Sequence, residues 1–139
     1  VVITNQSAIG RGLLTHARLA EIHARLVEML LREDITLDGI YYCPHHPGDK
    51  CECRKPKPAL LLQAARELRF RAAECFVIGD NQGDIGLGQA VGARTLLVRT
   101  GYGAGIAADP ATLSKVNPDR IVTDLLNASC AIEDLLKQG

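Results

Sequence analysis

Tyr41-Tyr42-Cys43-Pro44-His45-His46-Pro47-Gly48-Asp49-Lys50-Cys51-Glu52-Cys53-Arg54-Lys55-Pro56 is the stretch on which the reading of this chain turns. Cys43, His45, Cys51 and Cys53 fall within eleven residues, and zinc prefers four tetrahedral nitrogen and sulfur donors. A Cys3His set with no open coordination position is of the structural kind, so the metal is expected to hold a loop and not to react. His46 rivals His45 as the nitrogen donor; His45 is favoured because Cys-x-His mirrors Cys-x-Cys and makes two short chelating pairs. Directly after the last cysteine come Arg54 and Lys55. A guanidinium grips a phosphoryl group through two parallel hydrogen bonds, and an ammonium adds a point charge. An isolated Arg-Lys pair would simply face solvent; its place at the end of a metal-held loop makes it a candidate anion site. Lys57 reads as a solvated charge.

The five cysteines are an odd count, and bridges between such close neighbours would strain the loop. Reduced thiolates on zinc fit better. Cys75 and Cys130 lie in apolar surroundings and are expected to be small buried hydrophobes.

On either side of the loop, strands and helices alternate. Val1-Val2-Ile3-Thr4 is a β-branched, buried-type strand that starts without a preceding turn or cap. After the glycine-punctuated segment 8–12, Thr15 is suited to cap a helix in which Leu19, Ile22, Leu26, Met29 and Leu30 keep helical spacing, ending near Asp34. Residues 39–42 read as a short strand leading into the loop. Pro58 suits a first helical turn before Leu60, Leu61, Ala64, Ala65 and Leu68. Cys75-Phe76-Val77-Ile78 forms a strand closing on Gly79-Asp80. A helix is expected from about Asp84 to Val91, stopped by Gly92, and then a strand at Thr95–Val98. Residues 101–118 read as a loop, 120–122 as an edge strand, and the end as a helix carrying Leu126, Ile132, Leu135 and Leu136.

This alternation predicts an α/β fold: a three-layer, Rossmann-like, mostly parallel sheet with helices on both faces and a zinc-stapled loop, forming a single domain over 1–139. Ligands in such folds sit beyond the carboxyl ends of the strands, where Thr4, Cys43 and Asp80 all fall. The Thr4 hydroxyl and the following N–H groups could meet a phosphate oxygen, or residues 4–7 could form a plain hydrogen-bonded turn. Asp80 and Asp84 offer hard oxygens of the type Mg²⁺ takes, while Asp84 could equally cap the helix that follows it.

Sixteen basic and sixteen acidic residues give a formal net charge of zero, 47% of residues are hydrophobic and 4% are aromatic. That balance argues against nucleic acid or an anionic membrane as partner. No apolar run approaches the roughly 20 residues of a spanning helix and no signal peptide opens the chain, so a cytoplasmic protein is expected.

Taken in order, Val2-Ile3-Thr4-Asn5-Gln6-Ser7, Ile9-Gly10-Arg11-Gly12, Tyr41 to Pro47, Cys51-Glu52-Cys53-Arg54-Lys55-Pro56-Lys57-Pro58 and Val77-Ile78-Gly79-Asp80 resemble the haloacid dehalogenase-like phosphatases. Within them they are similar to the group containing heptose bisphosphate phosphatase and the histidinol-phosphate phosphatase domain. The resemblance implies an Mg²⁺- and Zn²⁺-dependent phosphomonoester hydrolase that removes the 7-phosphate of D-glycero-D-manno-heptose 1,7-bisphosphate, a small-molecule sugar phosphate. Histidinol phosphate is the rival substrate. It makes Thr4 and Lys55 the phosphoryl-stabilising residues and Arg54 a substrate contact, with Asn5, Gln6 and Ser7 lining the sugar-phosphate pocket. Asp80 becomes the Mg²⁺ ligand, Asp84 a supporting acid, and Cys43, His45, Cys51 and Cys53 the zinc set. Where the group commonly has a lysine after the metal aspartate, this chain has Asn81.

The group's nucleophile comes from an Asp-x-Asp segment ending the central strand, and no Asp-x-Asp occurs in these 139 residues. The chain is therefore expected to be an N-terminally truncated form, lacking the central first strand and inactive alone. The whole protein is expected to be a monomer, with self-association of the shorter chain through its open sheet edge. A reading of another class is a non-catalytic phosphate-binding or regulatory module; a start codon near Val1 would favour it over the enzyme.

Overall fold

The computed structural model describes residues 1–137. Its contacts divide the chain into two compact units, Val1–Arg54 with Ala59–Phe70, and Lys55–Pro58 with the residues from Arg71 onward.

In the first unit, β1 (Val2–Asn5) leads through the four-residue α1 (Ser7–Gly10) into α2 (His16–Leu31), β2 (Ile40–Cys43) and, after the cysteine loop, α3 (Ala59–Leu68). β1 and β2 are parallel, with Thr4 opposite Tyr42 and Asn5 opposite Cys43. Thr15 caps α2 by accepting from Arg18 N–H at 3.1 Å. The helix stops at Leu31, earlier than its spacing suggests: Glu33 and Ile35 N–H turn back onto the Leu30 carbonyl, and Asp34 takes a left-handed φ of 57°. Leu19, Leu60, Leu61, Ala64 and Cys43 are the buried apolar residues. Tyr41 ties β2 to α3 by donating its hydroxyl to Glu67 Oε2 at 2.7 Å.

The second unit contains β3 (Phe76–Gly79), α4 (Gln82–Ala90), β4 (Arg94–Val98), α5 (Gly103–Ala108), α6 (Pro110–Val116), β5 (Arg120–Val122) and α7 (Leu125–Lys137). Its three strands are parallel in the order β3-β4-β5. Alternation along β4 sends side chains to opposite faces. Leu97 packs with Ile85 and Val116 on one face, and Leu96 and Val98 pack with Ala128 on the other. Helices therefore cover both sides, as the expected α/β layering requires.

Residues 101–118 hold two helices where the composition suggested a loop. Asp109 caps α6 by accepting from Ala111 and Thr112 N–H, with Pro110 in its first turn, an Asp-Pro start signal that the small residues around it obscure. The helix expected from Asp84 begins at Gln82 because Asn81 is its cap. In α7 the core face is Ala128, Ala131 and Ile132, whereas Leu126 and Leu136 are 72% and 67% exposed. Cys130 is exposed and Cys75 only half-buried, so neither is the core hydrophobe its neighbours suggested. No helix among the described residues is long and apolar enough to cross a membrane.

Candidate active site and metal centre

β2 ends on Cys43, whose thiol is buried against the loop it opens. The loop returns Cys51 and Cys53 so that one donor atom from each of Cys43, His45, Cys51 and Cys53 lies within 4.8 Å of every other. His45 Nδ1 is 3.1 Å from Cys53 Sγ and 3.5 Å from Cys43 Sγ. His46 is engaged elsewhere, since its Nδ1 accepts from Gly48 N–H at 3.0 Å and its own N–H donates to Asp49 Oδ2 at 2.8 Å. His45, the ring favoured on chelate symmetry, is the one that lies with the three thiols. Burial, with the neighbouring Cys43 and Cys51 sulfurs, pushes the Cys53 thiol up to about 12. Burial also raises Cys51, but a hydrogen bond from Arg54 N–H and contacts from Cys43 and Cys53 outweigh it, leaving Cys51 below its ordinary value.

Thr4 stands at the carboxyl end of β1, and its hydroxyl oxygen accepts from Gln6 Nε2 at 3.0 Å. With that lone pair used, the Thr4 proton is directed away from Gln6. Ser7 opens α1 after Gln6, whose side chain makes no cap to the helix. Arg54 is half-buried, and its Nη1 is fully buried with no hydrogen-bond partner among the described residues. A buried guanidinium N–H left open is costly unless a ligand meets it.

In the second unit, Lys55 Nζ donates to Asp84 Oδ1 at 2.6 Å, with the two side chains 14% and 12% exposed. Asp84 Oδ2 accepts from Asn81 N–H at 3.1 Å while Asn81 Oδ1 accepts from Gly83 N–H at 3.2 Å, a capping box on α4. Both Asp84 oxygens are thus occupied, and the residue braces Lys55. Gly79 precedes Asp80 for a steric reason: a Cβ there would lie 2.2 Å from the Asp84 Cβ. Asp80 Oδ2 accepts from Tyr102 N–H at 3.0 Å. Sequence reasoning missed that support from the 101–118 segment. It also left undivided the two roles of Asp84, although an Asn followed three residues later by an acid before an apolar run signals a capping box.

The structure therefore gathers the four cysteine and histidine donors with the Thr4–Ser7 segment in the first unit. It pairs Lys55 with Asp84, and holds Asp80 beside Tyr102, in the second. The match to a family model described as HAD-hydrolase-like spans residues 52–128, more than half of the chain. This chain is a member of the HAD-hydrolase-like family.

Among curated proteins it is similar to D-glycero-beta-D-manno-heptose-1,7-bisphosphate 7-phosphatase of Pseudomonas putida, 41% identical over 102 residues, covering 73% of this chain and 58% of the relative. The protein of the same name from Haemophilus influenzae is 40% identical over 121 residues, covering 77% and 65%. The chain thus spans less than two thirds of the length of these relatives. Among solved structures, the D,D-heptose 1,7-bisphosphate phosphatase from B. bronchiseptica, complexed with magnesium and phosphate, superposes with a TM-score of 0.81 at 33% identity, covering 99% of this chain and 73% of that one.

Proposed function

We propose that this chain is the phosphoryl-stabilising part of a sugar-bisphosphate phosphatase that removes the 7-phosphate of D-glycero-D-manno-heptose 1,7-bisphosphate. The observation that carries the reading is the likeness, over 99% of the chain, to a heptose bisphosphate phosphatase structure that holds magnesium and phosphate. The residues of each unit, taken separately, support it. A phosphoryl group in transfer spreads negative charge over its oxygens, and its stabilisation is mostly electrostatic. Arg54 brings a buried N–H without a partner among the described residues, Lys55 brings an ammonium held in direction by Asp84, and Thr4 brings a hydroxyl proton turned from Gln6. Asn5, Gln6 and Ser7 line the sugar-phosphate pocket in this reading. The names of the matched relatives favour heptose over histidinol phosphate.

Asp80 is the one carboxylate of the pair suited to Mg²⁺, because Asp84 is committed to Lys55 and Asn81. Mg²⁺ characteristically takes only one or two protein carboxylates and completes its shell with water and phosphate. When bound, it would neutralise charge on the phosphoryl oxygens. The cysteine and histidine cluster fits a structural Zn²⁺: four donors of the right chemistry lie within 4.8 Å of one another, the donor set such a site takes. Its role is to hold the 43–53 loop that ends at Arg54. A cytoplasmic setting follows from thiols that must stay reduced.

The attacking carboxylate belongs to an Asp-x-Asp that these residues do not contain. Its oxygen bonds to phosphorus as the bond from phosphorus to the sugar oxygen breaks, the leaving alkoxide takes a proton from the second aspartic acid, and water then cleaves the aspartyl-phosphate. The test is phosphate release from heptose 1,7-bisphosphate with Mg²⁺, run on residues 1–139 and on a longer form that includes an Asp-x-Asp. Turnover only in the longer form, with histidinol phosphate a poor substrate, is the expected result. Turnover by residues 1–139 would overturn the assignment of the nucleophile, and silence in both would favour a binding module.

A further inference from the structure

Gly10, the last residue of α1, lies against the backbone of the cysteine loop. Its N–H donates to the Pro44 carbonyl at 2.8 Å. A Cβ built on it would stand 2.5 Å from His46 N and 2.9 Å from both His45 C and Pro44 O. These are main-chain atoms, which cannot swing aside as the end of a flexible side chain can. Two further links run along the same seam: Gln6 N–H donates to the Cys43 carbonyl at 2.8 Å, and Asn5 is the register partner of Cys43 where β1 and β2 end. The segment from Asn5 to Gly10 is therefore hung on residues 43–46, which include two of the four metal donors. α1 has only four residues, too few to hold itself as an isolated helix. The order of this segment must come from what it leans on.

We infer that Gly10 is a positioning residue that clamps the Thr4–Ser7 segment onto the metal loop, so that metal occupancy and the orientation of that segment are linked. The inference rests on reading Cys43, His45, Cys51 and Cys53 as a metal site, and on no assumption about substrate. Metal bonds to Cys43 and His45 fix the carbonyls that receive Gln6 and Gly10 N–H. By linkage, anything that orders the segment tightens the metal by the same factor. Only a residue without Cβ lets the two backbones approach this closely.

The test uses residues 1–139 with Co²⁺ as the probe, read by thiolate-to-cobalt absorption, and amide hydrogen exchange at Gln6 and Gly10 with and without metal. Metal is expected to slow exchange at both amides. Gly10→Ala is expected to weaken Co²⁺ affinity about 10- to 100-fold, the range for groups that support metal ligands from outside the first shell, and to abolish the metal-dependent slowing at Gln6. Gly39→Ala is the comparison. It strains the opposite end of the same strand pair, where the new methyl meets the Tyr41 ring at 2.8 Å, and is expected to leave Co²⁺ affinity unchanged. Equal losses in the two variants would overturn the clamp, as would unchanged Gln6 and Gly10 exchange when the wild type binds metal. The wild-type exchange comparison stands even where Gly10→Ala fails to fold. Absence of the cobalt absorption in the wild type would overturn the metal reading and the clamp together. Phosphatase activity enters neither readout, so the substrate assignment stands or falls separately.

Discussion

Asp80 and Asp84 are four residues apart and chemically identical, yet their surroundings give them different work. Asp84 is buried, with one oxygen on Lys55 Nζ and the other on Asn81 N–H. Removing one member of a buried, hydrogen-bonded ion pair leaves the other charge desolvated, and costs about 3–5 kcal/mol. Asp84→Asn is therefore expected to lower stability by about 3 kcal/mol, read as a fall in the urea midpoint without a change in slope. Adding Lys55→Met to that variant should recover part of the loss, since it removes the charge that Asp84 balances; simple additivity of the two losses would show that the pair is not coupled. The same discrimination separates His45 from His46. Chelate symmetry alone favours His45 in the sequence, and the hydrogen bond from Gly48 N–H to His46 Nδ1 engages the rival ring elsewhere.

Among the elements, a carboxylate adds to the backbone ladder at the seam between β4 and the start of β5. Asp119 accepts from Thr95 Oγ1 at 2.7 Å and from Thr95 N–H at 2.6 Å, and these bonds hold its carboxyl below the ordinary 3.8. A carboxylate whose folded value is depressed contributes stability that is fully present above its unfolded value and is lost as the pH falls through the folded one. Acid unfolding below pH 3.8 should therefore include a contribution from Asp119. Asp119→Asn should flatten that limb and lower the neutral-pH midpoint by the contribution the wild type loses in acid, as denaturation monitored by circular dichroism across pH would show. On α4, Asn81→Ala removes a cap and is expected to cost about 1 kcal/mol. In the metal loop, Cys51→Ser should reduce zinc measured by atomic emission in purified protein, because three remaining donors hold the ion far less tightly.

At the scale of the molecule, residues 1–139 would, in the proposed reading, supply cations and a hydroxyl to a phosphoryl group, and they contain no Asp-x-Asp. Electrostatic stabilisation without an attacking group does not make a covalent intermediate. Phosphate release is accordingly expected only from a form that includes that segment, and within it Asp80→Asn should shift the Mg²⁺ requirement to higher concentration. Unchanged Mg²⁺ dependence in that variant would remove Asp80 from the metal site.

The alternation of apolar strands and amphipathic helices, the four donors in eleven residues and the ordered succession of short motifs were enough to determine the α/β class, the cluster of cysteine and histidine donors and the kinship of this chain. Those features are local: they depend on side-chain period and on spacing along the backbone. What only the tertiary structure decided are the pairings between segments distant in sequence. Lys55 meets Asp84 across 29 positions, Tyr102 N–H reaches Asp80 across 22, and the Gly10 backbone settles on Pro44. Such contacts arise from how elements pack, and packing is settled by the fit of surfaces that no single stretch of sequence contains.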